Sequence, residues 1–277
     1  MSLTTLLKSK EVRERFAPLR PSRRRKINSP LRISPASKRY MVVGIAFDYF
    51  LRFDLHRRMP HATTNPWIAQ KAIDRFGMLN EGGGHVDVDR MQRIVEQATD
   101  AVGNYLLCND PTDTQRRELA KHAILLAKFD FVYRNGLVVP DFGEYDSEDV
   151  NDLVDMLAIV PFDDFVNPDV ALLNPEFGNA SSAVRGADAD LISGDLLADI
   201  KVTIKGALSS NMFDQLLGYF LLARWHREDD PLFPEIRRVG VYFARHGELC
   251  TWNAREYTAL PGFAEFENWF RGFVTDK

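Results

Sequence analysis

From Tyr40 the stretch YMVVGIAFDYFLRFDLHRRM places apolar residues at helical spacing after Gly44, which predicts a helix over about 45–58. Further helices are predicted over 66–78, 87–107 and 113–134, with Pro66 at one start and Thr112 or Asp113 capping another. SEDVNDLVDMLAIV (147–160) opens on Ser147 and acids, an N-terminal signature that predicts one more. The period then changes. VALLNPEF (170–177), AVRGADADLI (183–192) and LLADIKVTI (196–204) are short alternating or β-branched runs joined by Asn, Gly and Ser, and read as strands. NMFDQLLGYFLLARWHR (211–227) is an apolar-faced helix, RVGVYFARHGELCTWN (238–253) a hairpin turning at His246-Gly247, and GFAEFENWFRGFV (262–274) a closing helix. Strands, helix and strands behind a helical prefix make an α/β or α+β domain, with the helical block of about 60–165 as an insertion.

The composition of the 277-residue chain is that of an ordinary globular protein, with 45% hydrophobic and 27% charged residues. No apolar run approaches the roughly 18–20 residues that cross a bilayer, and the N-terminus lacks a secretory apolar region, so a cytoplasmic location is expected. Two cysteines, Cys108 and Cys250, are too few for a disulfide framework or a cysteine-only metal site. The net charge of −4 conceals an asymmetry: residues 1–40 hold 12 Lys/Arg and 2 Glu, net +10, which leaves −14 for the rest. With Pro18, Pro21, Pro30 and Pro35 around Arg23, Arg24, Arg25 and Lys26, this segment reads as a basic, flexible arm suited to phosphates, or to an acidic partner surface. Residues 41–277 then form one domain.

Candidate chemistry concentrates in GADADLISGDLLADIKVT (186–203). Asp188 and Asp190 share one strand face, as do Asp199, Lys201 and Thr203. With an even turn such as Ser193-Gly194, Asp199 sits opposite Asp188 and diagonal to Asp190, whereas a three-residue loop puts the two sets on opposite faces. The sequence leaves the register open. If the carboxylates converge, their oxygens suit Mg²⁺ or Mn²⁺, and Lys201 can orient a water or balance charge on phosphorus. If they do not, the hairpin is an exposed strand pair with a salt bridge. HExxH, P-loop and Gly-x-Ser-x-Gly motifs are missing from the sequence. The acids of FDDF and EYDSEDVND read as solvated surface.

Ala189-Asp190, the hairpin, and Asp199-Ile200-Lys201 resemble the motif of the PD-(D/E)XK nuclease superfamily, an Asp followed by (Asp/Glu)-x-Lys, with alanine in place of the proline. QLLGY (215–219) is similar to the Gln-x-x-x-Tyr motif of the RecB-like branch, and GIAFD (44–48) to its Gly-x-x-x-His, with Asp48 in the histidine position. The resemblance spans residues 44–219 in three pieces. It implies a restriction-endonuclease-like core, a mixed sheet flanked by helices, and a metal-dependent DNA nuclease. It further implies that Asp48, Asp190, Asp199 and the Ile200 carbonyl hold Mg²⁺ or Mn²⁺, that Lys201 positions the attacking water, and that Gln215 and Tyr219 order the site. Asp188 and Glu176 are further acids that could join. Two cysteines rule out the four-cysteine iron–sulfur cluster that some of these nucleases carry. The alternative is a DNA-binding or scaffold subunit of a DNA-processing or defence complex on the same fold, with weak or lost catalysis. A nuclease acting on RNA is the third reading.

Overall fold

The computed structural model describes residues 2–21, 25–81, 87–135 and 143–275. A mixed six-stranded sheet runs in the order β1 (Thr63–Thr64), β2 (Ala171–Leu173), β3 (Leu191–Ser193), β4 (Leu196–Lys201), β5 (Arg238–Phe243), β6 (Glu248–Asn253). The β1–β2 and β4–β5 pairs are parallel and the other three antiparallel. Helices cover both faces, so the architecture is α+β.

Alternation along β4 sorts the layers. Leu196, Ala198 and Ile200 pack into one core with α3 (Tyr40–Arg58), α4 (Ile68–Glu81), α5 (Val88–Leu106), α6 (Asp113–Asn135) and α7 (Ser147–Ala158). Leu197 packs into a second core with α9 (Ser210–Asp229) and α11 (Phe263–Thr275). Asp199 and Lys201 therefore lie on the α9 side. Caps fix the helix starts: Asp146 Oδ1 accepts the Glu148 N–H ahead of α7 (3.1 Å), and Ser209 Oγ accepts the Met212 N–H ahead of α9 (3.3 Å). The helical block is tied to the sheet by Arg245, just beyond β5, which reaches Asp152 on α7 with two hydrogen bonds of 2.7 Å. Both side chains are buried. Asp149 is buried too, accepting from Ser37 and Arg39. Two acids expected on the surface are thus internal, each held by an arginine.

Two other expectations are corrected. The 183–192 run is a strand only at its end. Gly178–Ala183 forms a short helix, α8, and Arg185 and Gly186 then reverse the chain at φ 57° and 116°. Ser181 holds this reversal by donating to the Ala187 carbonyl (2.6 Å) and accepting the Phe177 N–H (2.8 Å). Nor do residues 2–21 behave as a flexible arm. They form α1 (Leu3–Leu6) and α2 (Lys10–Phe16), which bury Leu3, Leu6, Val12, Phe16 and Leu19 in the second core. Arg20 clamps Asp214 of α9 with hydrogen bonds of 2.7 and 2.5 Å. Among the described residues no helix is long and apolar enough to cross a membrane.

Candidate active site

The β3–β4 turn sets the site. Ser193 pairs with Leu196, so the loop is Gly194-Asp195, one position later than the sequence suggested, with Gly194 supplying a φ of 58°. The turn is even, and the register that pairs Leu191 with Ala198 brings Asp190, not Asp188, opposite Asp199. Asp190 Oδ2 accepts the Ile200 N–H across the hairpin at 2.6 Å. Beyond β2, Asn174 turns the backbone at φ 56°, while its N–H still reaches the Asp190 carbonyl (3.0 Å) and Glu176 still pairs with Asp188.

These residues wall a cleft of about 300 Å³ at the C-terminal end of β4. Asp48 and Arg52 enter it from α3, Asp130 from α6, Asp188 and Asp190 from the approach to β3, Asp199, Ile200 and Lys201 from β4, and Gln215 from α9. Trp67 and the largely exposed Tyr40 and Met41 add apolar walls. Five aspartates face two cations, a formal charge of −3.

Asp199 is 1% exposed. The Lys201 ammonium lies 2.7 Å from its Oδ2 as an ion pair off the hydrogen-bonding direction, and among the described residues neither Asp199 oxygen accepts a hydrogen bond. Lys201 Nζ donates instead to Gln215 Oε1 (3.2 Å), and Gln215 Nε2 donates to the Tyr219 hydroxyl (2.9 Å). Burial holds the Asp199 carboxyl above its ordinary range even though Lys201 pulls it down. Asp190 stands well above that range, through burial first and then the charges of Asp199 and Asp48. Lys201 is raised: desolvation works against its charge, but Asp199 and Asp190 outweigh it, so it is an ammonium. The Tyr219 hydroxyl is pushed far above 10 by burial and the nearby aspartates, and remains protonated.

The expected residues divide accordingly. Asp48, Asp188, Asp190, Asp199, Ile200, Lys201 and Gln215 come together. Tyr219 stands behind Gln215 and touches the cleft through it. Glu176 is not gathered in: it is half-exposed and pairs with Lys71 at 3.2 Å, because the reversal at Asn174 breaks the alternation and brings Asn174 to the cleft instead. Arg23 and Arg24 lie outside the described residues, as does most of the glycine-rich stretch 80–87 with His85. Arg25 is engaged by Glu256 and by the Trp252 ring, 4.9 Å from its centroid, Lys26 is exposed with its backbone bridged to Ala207, and neither lines the cleft.

Three residues escaped the sequence. Arg52 binds Asp48 with both branches, Nε to Oδ1 at 3.0 Å and Nη2 to Oδ2 at 2.5 Å, a contact legible only as an i,i+4 pair. Asp130, buried, accepts from the Tyr49 hydroxyl (2.7 Å) across 81 residues of sequence, and Asn174 owes its place to backbone geometry; neither carries a local signal. Among the described residues no three His, Cys, Asp or Glu side chains form a ready-made ligand set. The donors that line the cleft are carboxylate oxygens, two of them buried without hydrogen bonds, and oxygens of this hard kind are the donor type that Mg²⁺ and Mn²⁺ take. No family model, curated protein or solved structure matches the chain.

Proposed function

We propose that the protein is a metal-dependent nuclease that hydrolyses DNA phosphodiesters in this cleft. The observation that carries the reading is the Asp199 carboxylate: buried, without a hydrogen bond, opposite Asp190, beside an ammonium, and open to a cleft. A buried charge of this kind is costly unless a cation compensates it, and Lys201 and Arg52 together still leave the cleft at a formal −3. The mixed six-stranded sheet with helices on both faces is in keeping with the core that the PD-(D/E)XK resemblance implies.

Asp190, Asp199 and the Ile200 carbonyl would hold Mg²⁺ or Mn²⁺, with Asp48 as a further ligand; when bound, the ion polarises the diester and acidifies a water. Lys201, as an ammonium, orients the attacking water and stabilises charge on the pentacoordinate phosphorus. Gln215, anchored on Tyr219, keeps the ammonium aimed. Water oxygen bonds to phosphorus in line, the P–O ester bond opposite it breaks, the water's proton passes to solvent, and the departing alkoxide takes a proton from solvent.

The test incubates the protein with single- and double-stranded DNA and RNA in Mn²⁺ or EDTA, beside Asp199→Ala and Lys201→Ala. DNA cleavage that needs Mn²⁺ and falls at least about 100-fold in both variants supports the reading. The engagement of Asp48 by Arg52 favours one second reading, a DNA-binding or scaffold subunit, which binds DNA and cuts nothing under any condition. Degradation of RNA while DNA survives would move the substrate class.

A further inference from the structure

Arg52 is 7% exposed, on the wall of a cleft whose other cation is Lys201. Two of its five N–H donors are committed to Asp48, and its guanidinium lies 5.0 Å from the Tyr49 ring centroid, which fixes the plane of the fork. Asp48 is the more open partner, its side chain 23% exposed against 8% for Arg52. Asp48, Arg52 and Asp190 line the same cleft, so the pair belongs to the acidic cluster. Arg52 takes one lone pair on each Asp48 oxygen, so a cation arriving at Asp48 competes with the guanidinium for the charge of the same carboxylate. A guanidinium that gives up Asp48 keeps its charge balanced by the remaining aspartates of the cleft and presents its fork to an oxyanion that enters. The two non-bridging oxygens of a phosphodiester match its fork as a carboxylate does.

We propose that Arg52 is a catalytic residue that exchanges partners: it holds Asp48 in the resting cleft, and grips the non-bridging oxygens of the scissile phosphate when Asp48 turns to a divalent cation. The proposal rests on the hydrolase reading above. Arg52 and the cation compete for one carboxylate, whereas cation and substrate assist each other. Removing the arginine must therefore act with opposite sign on the two ligands.

The experiment uses the intact chain with Arg52→Gln, Arg52→Lys and Asp48→Asn. Mn²⁺ affinity is measured by calorimetry without DNA. Binding of a short fluorescein-labelled DNA oligonucleotide is followed by anisotropy in EDTA and in Ca²⁺, and kcat is measured in Mn²⁺. Arg52→Gln should bind Mn²⁺ several-fold more tightly and lose about 100-fold in kcat, with Arg52→Lys recovering only part because an ammonium is not a fork. Asp48→Asn should bind Mn²⁺ more weakly yet hold the oligonucleotide more tightly in EDTA, since the arginine is then free. If Arg52→Gln does not fold, the Asp48→Asn measurements decide alone. Mn²⁺ affinity that falls with Arg52→Gln, an unchanged kcat, or EDTA binding unmoved by Asp48→Asn overturns the exchange. Cleavage lost in Lys201→Ala but intact in Arg52→Gln sinks Arg52 and spares the hydrolase. The opposite-sign binding effects without cleavage of any DNA would do the reverse.

Discussion

At the scale of single residues, the cleft stores an electrostatic cost that protons or a cation relieve. Asp190 and Asp199 are both raised in the folded protein, so the native state binds protons that the unfolded chain has released. Their contribution to stability is therefore full below the ordinary carboxylate value of about 4 and is lost as pH rises through the folded values. Lys201 is raised as well, but its contribution is lost only far above neutrality and does not offset this. Carboxyls held low elsewhere, such as Asp54 and Glu228, act with the opposite sign, so the effect is read as a difference: against Asp190→Asn, the cation-free protein should lose Tm as pH climbs from about 4 toward neutrality. Asp190→Asn, whose amide oxygen can still accept the Ile200 N–H, should raise Tm in EDTA at pH 7 and flatten that slope. Thermal melts of both proteins in EDTA across pH check this, and a Tm gap between Asp190→Asn and wild type that fails to widen over the interval would overturn it. Gln215→Ala should leave folding intact and lower kcat by about 10-fold, with KM little changed, because it frees the Lys201 ammonium from its aim without removing a ligand.

At the scale of elements, the hairpin is the register device. Gly194 sits at φ 58°, and a Cβ there would lie 2.6 Å from Asn167 Nδ2, so Gly194→Val should cost about 1–3 kcal/mol and weaken Mn²⁺ binding by shifting Asp190 against Asp199. Chemical denaturation with Mn²⁺ titration of the same samples measures both. Much of this scale was legible in the sequence. The helices at 87–107, 113–134, 147–160, 211–227 and 262–274 lie within a residue or two of α5, α6, α7, α9 and α11, because long amphipathic or capped segments carry a strong period. What failed was short or non-periodic, apart from the start of α3, which lies at Tyr40 where about 45 was expected, and the end of α4, at Glu81 where 78 was expected. α1, α2 and α8 hold few residues each, and the Asn174 and Arg185 reversals depend on positive φ at residues that do not announce it. Asp-x-Lys and Gln-x-x-x-Tyr located the acids and their amine. Asp130 and Asn174 reach the cleft only through tertiary folding, and Arg52 was legible only as a helix neighbour.

At the scale of the whole molecule, the basic N-terminal segment is part of the structure. Arg20, Arg25 and Arg39 neutralise Asp214, Glu256 and the Asp146–Asp149 pair, while five apolar side chains of residues 2–21 fill the core beside α9 and α11. Removing residues 1–40 should therefore expose that core and cause aggregation, visible by size-exclusion chromatography, and not simply soften the salt dependence of DNA binding. Arg20→Ala, which leaves the buried Asp214 carboxylate without its guanidinium, should cost about 2–3 kcal/mol in denaturant titrations. A shortened chain that remained monomeric and fully stable would show the segment to be dispensable. Lys8, Lys10, Arg13, Arg15, Lys26, Arg32 and Lys38 of the same segment are exposed, so it keeps cations at the surface while its apolar side chains hold it to the core.

The most direct measurement is anomalous diffraction at the manganese edge from crystals grown with Mn²⁺. The account predicts a peak bounded by the carboxylates of Asp190 and Asp199 and the carbonyl of Ile200, with Asp48 turned away from Arg52. Full occupancy of Mn²⁺ elsewhere, with the Asp190–Asp199 pair empty at saturating concentration, would contradict it.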